Sequence, residues 1–251
     1  MSQSEAWLAD CLPNPPQRLD GTLRRLVESQ ERVATTHLVD DLGEQSLLET
    51  LLETTKPPPP AGSSGLHYLL ATPFRYPPLH HGSRFGQRFE PGLLYGARET
   101  RTVLAEAAYY RLLFFDGMRQ APPGGRLLTR HTLFGAAIAS ERGACLNRPP
   151  CDQHRKALCH PADYRASQAL GSALRKAGIE IIAYCSARDP AHGENLALFT
   201  PRALSAPAPL FQQSWQCETR AGSVGFSGQE GFLRFTRKQF LHQGQLPRPA
   251  V

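Results

Sequence analysis

One segment of the chain, residues 103–115, is expected to form a buried helix and thereby constrains the fold around it. Most of its residues are Val, Leu, Ala, Tyr or Phe, which leaves almost no polar face for solvent. A helix that is apolar on nearly all sides is expected to lie inside a protein. The segment nevertheless contains one carboxylate, Glu106. Because a buried carboxylate is unstable without a hydrogen-bond or ion-pair partner, Glu106 needs a partner or a chemical role.

The residues before this helix form an arginine-containing loop that is interrupted by Gly and Pro. Arg84 lies in the turn Gly82-Ser83-Arg84-Phe85-Gly86, and a short strand ending at Tyr95 leads on to the helix. Glycines allow a backbone to approach a ligand closely, and a guanidinium can bind a phosphate through two hydrogen bonds. The pattern predicts an anion-binding site beside a catalytic carboxylate. The alternatives are that Arg84 is a surface residue or the ion-pair partner of Glu106.

Four segments resemble, in the same order, the RES domain, a bacterial family named for its Arg, Glu and Ser. They are Gly82-Ser83-Arg84-Phe85, Pro91-Gly92-Leu93-Leu94-Tyr95, Leu104-Ala105-Glu106 and Tyr184-Cys185-Ser186-Ala187-Arg188-Asp189-Pro190. The resemblance extends over residues 66–220 and implies an α+β fold like that of ADP-ribosyltransferase toxins. It also implies degradation of NAD, in some members by phosphorolysis, by a toxin that is paired with an Xre-type helix-turn-helix antitoxin protein.

The resemblance implies roles for four catalytic residues. Arg84 would hold ADP-ribose or the acceptor phosphate, and Tyr95 would pack on the nicotinamide ring. Glu106 would stabilise the cationic ribose that forms as the glycosidic bond breaks. Ser186 would orient the nicotinamide or the ribose. The structural alternatives are that Tyr95 is a core tyrosine, that Glu106 belongs to a buried ion pair and that Ser186 is a turn residue.

Two further residues, Arg75 and Asn195, are candidates for substrate binding, with a surface salt bridge and a turn position as the alternatives. His80 and His81 are expected to be exposed. NAD is the substrate in this hypothesis, with phosphate or water as the acceptor, so no cofactor and no metal is expected. The alternative functions are an ADP-ribosyltransferase that acts on a macromolecule and a non-catalytic binding module that keeps the fold.

The composition limits the partners and the compartment. The net charge is +6, but no basic stripe with interleaved aromatic residues is present, so direct nucleic-acid binding is not expected. No apolar run approaches the roughly 18 residues that span a bilayer, and the N-terminus lacks a secretory pattern. We therefore expect a cytoplasmic protein without a membrane partner.

The six cysteines raise the question of a zinc site. Residues with zinc-binding side chains that lie close in sequence are Cys145, Cys151, His154, Cys159 and His160. None of the cysteines has the CxxC spacing that marks a structural zinc site. Reduced thiols are therefore expected, as is usual for a cytosolic chain.

The N-terminal part of the chain reads as a helical arm. Apolar residues with a helical period predict a first helix over residues 23–42, and Asp41 is placed to begin a second helix with a stripe of leucines. Pro57–Pro60 and the Ala-Gly-Ser-Ser-Gly sequence after them predict a linker. This gives an arm at residues 1–56, a linker at 57–65 and the RES domain at 66–251. Because two short helices cannot bury their own apolar stripes, the arm is expected to pack on the domain or on a partner, or to mediate self-association.

The rest of the chain predicts mostly strands. The expected elements are a strand at 67–74, an extended stretch at 127–138, an irregular region at 140–161, a helix from Asp163 to Gly178, strands at 179–185 and 195–199, and β-structure at 213–216, 223–226 and 232–235. The strands do not alternate regularly with helices, and the glycines do not form a Rossmann fingerprint. The fold class is therefore predicted to be α+β.

Overall fold

The computed structural model describes residues 7–13, 15–29 and 38–248. Its helices are α1 (Leu8–Cys11), α2 (Leu42–Thr55), α3 (Tyr68–Arg75), α4 (Thr100–Asp116), α5 (Arg155–Leu158) and α6 (Arg165–Lys176). Its strands are β1 (Gln17–Glu28), β2 (Leu94–Ala97), β3 (Arg126–Cys145), β4 (Ile181–Cys185), β5 (Glu194–Leu198), β6 (Phe211–Arg220), β7 (Ser223–Gly228) and β8 (Gly231–Thr236). Helices packed on one mixed sheet confirm the α+β class.

The eight described strands form a single sheet in the order β1-β2-β5-β4-β3-β6-β7-β8. Strand β3 is 20 residues long and pairs with β1, β4 and β6. Because β3 pairs with both β4 and β1, the strands β1, β2, β5, β4 and β3 close into a ring. The hairpins β6–β7 and β7–β8 extend the sheet beyond that ring.

Helix α4 is buried against this sheet, as its sequence predicts. Leu104, Ala105, Ala108 and Leu112 are all fully inaccessible to solvent. Their side chains share a hydrophobic cluster with residues of the strands β3, β6, β7 and β8. The helix ends at Asp116, and the backbone N–H of Gly117 closes its last turn. The buried position of α4 fixes the place of Glu106 in the fold.

Most of the elements predicted after α4 are confirmed. The extended stretch at 127–138 belongs to β3, which continues to Cys145, so the irregular region begins later than expected. The predicted helix is α6, and Asp163 accepts a hydrogen bond from the backbone N–H of Arg165 (3.0 Å). The buried strand β4 and the strands β5 to β8 lie where the sequence predicts strands.

The predicted strand at 67–74 is wrong, because these residues form helix α3. The imidazole Nδ1 of His67 accepts a hydrogen bond from the backbone N–H of Leu69 (3.3 Å) and caps the helix. Leu70 and Phe74 lie one turn apart and are both buried. Leu69, next to Leu70, is buried too, so the buried residues follow a helical period and not the alternation of a strand.

The predicted first helix of the N-terminal arm is also wrong where the structure describes it. Residues 17–28 form β1, which is antiparallel to β3 from Gln17 to Glu28 and also pairs with β2. Gly21 has a φ of +115°, which no helix allows. The spacing of the apolar residues is compatible with a helix and with a strand, and pairing with β3 decides in favour of the strand. Residues 17–28, which the sequence assigns to the arm, therefore belong to the sheet of the domain, and residues 30–37 of the expected helix lie outside the described residues.

The second predicted helix is confirmed as α2, and Asp41 caps it by accepting a hydrogen bond from the backbone N–H of Glu44 (2.9 Å). Its leucine stripe does not pack on the domain. Leu42, Leu47 and Leu51 are 85%, 61% and 54% exposed. The helix ends before Pro57–Pro60, and residues 57–65 contain neither helix nor strand.

The expectation of reduced thiols is wrong for one pair of cysteines. Cys11 and Cys151 form a disulfide that ties α1 to the 3-10 turn at Cys151–His154. No group of three or more His, Cys, Asp or Glu side chains in the described ranges is arranged to hold a metal ion. Within these ranges, no helix combines the length and the apolar character that crossing a membrane requires.

Candidate active site

A cavity of about 480 Å³ opens between the arginine loop, β2 and α4. Its size falls within the range of roughly 300–1,000 Å³ that is usual for small-molecule sites. Its wall includes Arg84, Tyr95, Glu106 and Asn195. The fold thus brings together four of the six predicted site residues, which come from a loop, two strands and a helix.

Glu106 is held in place through one of its two carboxylate oxygens. Its Oε1 accepts hydrogen bonds from the hydroxyl of Ser186 (2.6 Å) and from Nδ2 of Asn195 (2.7 Å). Both donors are neutral, so the negative charge of the carboxylate is not cancelled by an ion pair. No residue in the described parts of the chain donates to Oε2. Because Glu106 lines the cavity, Oε2 is the oxygen available to a ligand.

Ser186 positions Glu106 and is not part of the cavity wall. The serine is fully buried, and its Oγ donates to Glu106 while it accepts from the backbone N–H groups of Arg188 (3.1 Å) and Asp189 (2.9 Å). The two backbone donors fix the hydroxyl so that its proton points to the carboxylate. The expected direct contact of Ser186 with the nicotinamide or the ribose is therefore corrected to an indirect role, because all its hydrogen-bonding capacity is used.

Asn195 lies at the start of β5 and contributes to the cavity wall. It is 4% exposed, and while its Nδ2 donates to Glu106, its Oδ1 is buried without a partner in the described chain. A buried amide oxygen without a donor is costly. A ligand that presents an N–H or O–H group would satisfy it, so the residue suits the substrate-binding role that the sequence predicts.

Arg84 presents an unpaired cation to the cavity. Its Nη1 donates to the carbonyl oxygens of Leu158 (3.0 Å) and His160 (3.1 Å), and its guanidinium carbon lies 4.5 Å from the centre of the Tyr164 ring. Within the described residues no carboxylate lies within ion-pair distance of Arg84. The alternative that it is the ion-pair partner of Glu106 is therefore excluded. Two carbonyls and an aromatic face orient the group and leave the charge for an anion.

Tyr95 connects the cavity wall to the loop that carries Arg84. Its hydroxyl is hydrogen-bonded to the hydroxyl of Ser83 (2.9 Å) and accepts from the backbone N–H of Phe85 (2.9 Å). Burial raises the pKa of Tyr95 to about 12, so the phenol stays neutral at physiological pH. The side chain therefore holds the residues on both sides of Arg84, and its packing on nicotinamide stays a prediction.

Arg75 does not belong to the site. Its Nη1 forms an ion pair with Glu53 of α2 (2.6 Å), and its Nε donates to the carbonyl oxygen of Pro57 (2.6 Å). It is absent from the residues that line the cavity. The predicted substrate contact is wrong, because helix α3 directs the side chain toward α2 and away from the cavity.

The structure adds residues that the sequence did not single out. Arg25, Tyr164 and Tyr184 line the cavity. Tyr164 and Tyr184 are each 5% exposed, and Tyr184 packs edge-on against Phe85. Both tyrosines lie near residues that the sequence analysis considered, whereas no local signal distinguishes Arg25. His81 also lines the cavity and is half-buried, contrary to the expected exposure, while its neighbour His80 is exposed.

The thiol of Cys159 is not poised as a nucleophile. Burial raises the pKa of Cys159 to about 11, and its Sγ donates to the carbonyl oxygen of Cys185 (3.1 Å). The thiol is therefore protonated at physiological pH. The groups left for chemistry are a carboxylate that can stabilise positive charge and a guanidinium that can bind a phosphate.

Comparison with known proteins supports this assignment at the level of the family. A search among curated proteins finds no match. The family model of the RES domain matches residues 59–220, a span that includes Arg84, Tyr95, Glu106 and Ser186. The mixed sheet with its packed helices fits the ADP-ribosyltransferase-like fold of that family. The chain belongs to the RES domain family.

Proposed function

We propose that this protein degrades NAD by cleaving the bond between nicotinamide and its ribose. RES domains are associated with enzymes that act on NAD. The observation that carries the proposal is that one cavity contains a carboxylate oxygen and a guanidinium that have, among the described residues, neither a donor nor a counterion, respectively. Cleavage of NAD creates positive charge on the ribose, while the substrate carries negative charge on its diphosphate, so the two groups complement the two parts of the substrate.

In the proposed reaction the electron pair of the glycosidic bond passes to the ring nitrogen of nicotinamide, which leaves as a neutral molecule. Positive charge then develops on the ribose, and Glu106 stabilises it through Oε2, either directly or through a ribose hydroxyl. An oxygen of inorganic phosphate forms the new bond to the ribose and gives ADP-ribose 1″-phosphate. If water is the acceptor, the products are ADP-ribose and a proton.

The other residues of the cavity bind and orient the substrate in this mechanism. Arg84 binds a phosphate group through its free N–H donors. The neutral ring of Tyr95 packs against the nicotinamide. The free Oδ1 of Asn195 accepts a hydrogen bond from the substrate, while its Nδ2 and the hydroxyl of Ser186 keep the Glu106 carboxylate in place.

The direct test is to incubate the purified chain with NAD in the presence and absence of phosphate and to identify the products by mass spectrometry. If water is the acceptor, we expect free nicotinamide in both cases; if the enzyme is a phosphorylase, we expect nicotinamide and ADP-ribose 1″-phosphate only in the presence of phosphate. Heat-inactivated protein and the Glu106→Gln variant serve as controls. Intact NAD with a folded wild-type protein would contradict the proposal.

We further propose that the protein is the toxin of a toxin–antitoxin pair in the cytoplasm of a bacterium, with an Xre-type helix-turn-helix protein as the antitoxin. Depletion of NAD stops growth because many enzymes share this cofactor. Expression of the wild-type chain in a bacterium should therefore lower cellular NAD and slow growth, whereas the Glu106→Gln variant should do neither. Normal growth and normal NAD levels at a high level of folded wild-type protein would contradict the toxin role.

A further inference from the structure

Arg25 brings a second guanidinium into the cavity that contains Arg84. It lies on β1, outside residues 59–220, which match the family, and it lines the cavity together with Tyr95 and Glu106. Its Nη1 donates to the carbonyl oxygen of Tyr95 (3.0 Å). The strand that the sequence places in a separate arm therefore completes the wall of the candidate site.

The positive charge of Arg25 has no carboxylate partner in the described chain. Burial lowers the pKa of its guanidinium, and no neighbouring charge offsets that effect. Two other arginines near β1 are different, because Arg98 pairs with Glu194 (3.1 Å) and Arg111 pairs with Glu28 (3.1 Å). An arginine keeps its charge even when it is buried, so an anion is required to compensate it.

The two cavity arginines are connected to opposite ends of Tyr95, Arg25 directly and Arg84 through its two neighbours in the chain. Arg25 is bound to the backbone carbonyl of Tyr95, whereas the hydroxyl of Tyr95 binds Ser83 and Phe85, the residues on either side of Arg84. The length of a tyrosine side chain therefore separates the two anchoring points. Two cations anchored apart are suited to two phosphate groups that are not adjacent, and less suited to a single one.

We propose, on the basis of the proposed cleavage of NAD, that Arg25 forms a second phosphate-binding subsite distinct from that of Arg84. The phosphate belongs either to the diphosphate of the dinucleotide or to the inorganic phosphate that accepts the ADP-ribose. Phosphorolysis requires room for both kinds of phosphate in one cavity, whereas hydrolysis requires only the first. An Arg25 subsite for inorganic phosphate thus favours phosphorolysis over hydrolysis.

The test is calorimetric titration of the full chain with inorganic phosphate and, separately, with ADP-ribose. The variants are Arg25→Gln, which removes the charge, and Arg25→Lys, which keeps it but removes the planar fork. Arg24→Gln is the matched control, because Arg24 is the adjacent residue of β1, lies outside the cavity wall, and contacts the Phe211 ring and the carbonyl of Arg98. Thermal melting of each variant verifies that it is folded.

We expect Arg25→Gln to weaken the binding of phosphate, of ADP-ribose or of both by about 10-fold or more, because charged hydrogen bonds are lost. A loss confined to inorganic phosphate identifies the acceptor subsite, and a loss confined to ADP-ribose identifies the diphosphate subsite. Arg25→Lys should bind about threefold weaker or worse, and Arg24→Gln should bind like the wild type.

Three results would overturn the proposal. The first is a folded Arg25→Gln variant that binds both ligands as tightly as Arg24→Gln does. The second, which decides the question if Arg25→Gln does not fold, is wild-type affinity of Arg25→Lys for both ligands. The third is a wild-type chain that binds neither ligand. Neither titration needs cleavage of NAD, so an inactive chain that shows the Arg25 effect would contradict the proposed function and support the subsite.

Discussion

The cavity and the junction between α2 and α3 both contain arginines, but the two regions use them differently. At the junction, Arg75 is held by the carboxylate of Glu53 and the carbonyl of Pro57, so the protein itself supplies its counterion. In the cavity, Arg84 and Arg25 are hydrogen-bonded only to carbonyl oxygens, within the described chain. A carbonyl orients a guanidinium without neutralising it, so these two cations remain available to an anion.

The same difference separates the polar groups around Glu106. The Ser186 hydroxyl is saturated by protein partners, whereas Oε2 of Glu106 and Oδ1 of Asn195 have none in the described residues. The comparison shows that the hydrogen-bond and ion-pair partners of a side chain indicate its role here better than its residue type does. Groups saturated by protein partners stabilise or position, and groups without partners at a cavity wall bind a ligand.

The strongest test of this comparison is Glu106→Gln, which removes the charge at the centre of the cavity with little change in shape. We expect a loss of NAD cleavage of about 100-fold or more, the size seen when one electrostatic stabiliser is removed. Initial rates of nicotinamide release measure the effect, and a melting curve provides the control for folding. A folded variant with full activity would show that the carboxylate is structural.

Arg84→Lys and Arg75→Lys form a matched pair, one in each region. We expect Arg84→Lys to weaken NAD binding by about 10-fold, because Lys keeps the charge but loses the two-pronged geometry that suits a phosphate. Arg75→Lys should leave the KM for NAD unchanged, because its partner is Glu53. Equal effects of the two substitutions on KM would contradict the proposed difference between the two regions.

Ser186→Ala and Asn195→Ala separate positioning from substrate contact. Both remove a hydrogen bond to Oε1 of Glu106, so we expect each to lower kcat by about 10-fold. Only Asn195 also lines the cavity and has a side-chain oxygen without a partner in the described residues, so only Asn195→Ala should raise the KM for NAD. Steady-state kinetics measure both constants. A raised KM in a folded Ser186→Ala variant would indicate that Ser186 contacts the substrate directly.

The smallest effect is expected for Glu53→Gln at the α2–α3 junction. Glu53 is exposed, and surface ion pairs contribute little to stability. We expect unchanged kcat/KM and a melting temperature within about 2 °C of the wild type. A marked loss of activity in this variant would show that the junction influences the cavity, and it would contradict the difference between the two regions.

Several elements could be predicted from the sequence because their signals are local. The burial of α4 follows from a run of apolar residues that no surface helix would carry, and β4 follows from another such run. Arg84, Tyr95 and Glu106 could be selected because they occur in short motifs in a fixed order, and the cavity brings them together. The start of α2 at Asp41 follows from a capping pattern within a few residues.

Other features depend on residues that are far apart in the chain. Leu19, Leu23 and Val27 lie four residues apart, which fits a helix as well as a strand, and only pairing with β3, more than a hundred residues later, makes the segment β1. For the same reason the sequence could not show that Arg25 reaches the cavity or that Cys11 bonds to Cys151.

The sequence by itself determined which residue types are available at the site, and the tertiary structure decided which of them are free to bind a ligand. Arg75 and Arg84 are equally cationic in the sequence, but helix α3 directs the first toward Glu53 while the loop held by Tyr95 places the second at the cavity wall. The physical reason is that the free energy of a buried polar group depends on its partners, and these partners come from distant segments that only the fold brings together.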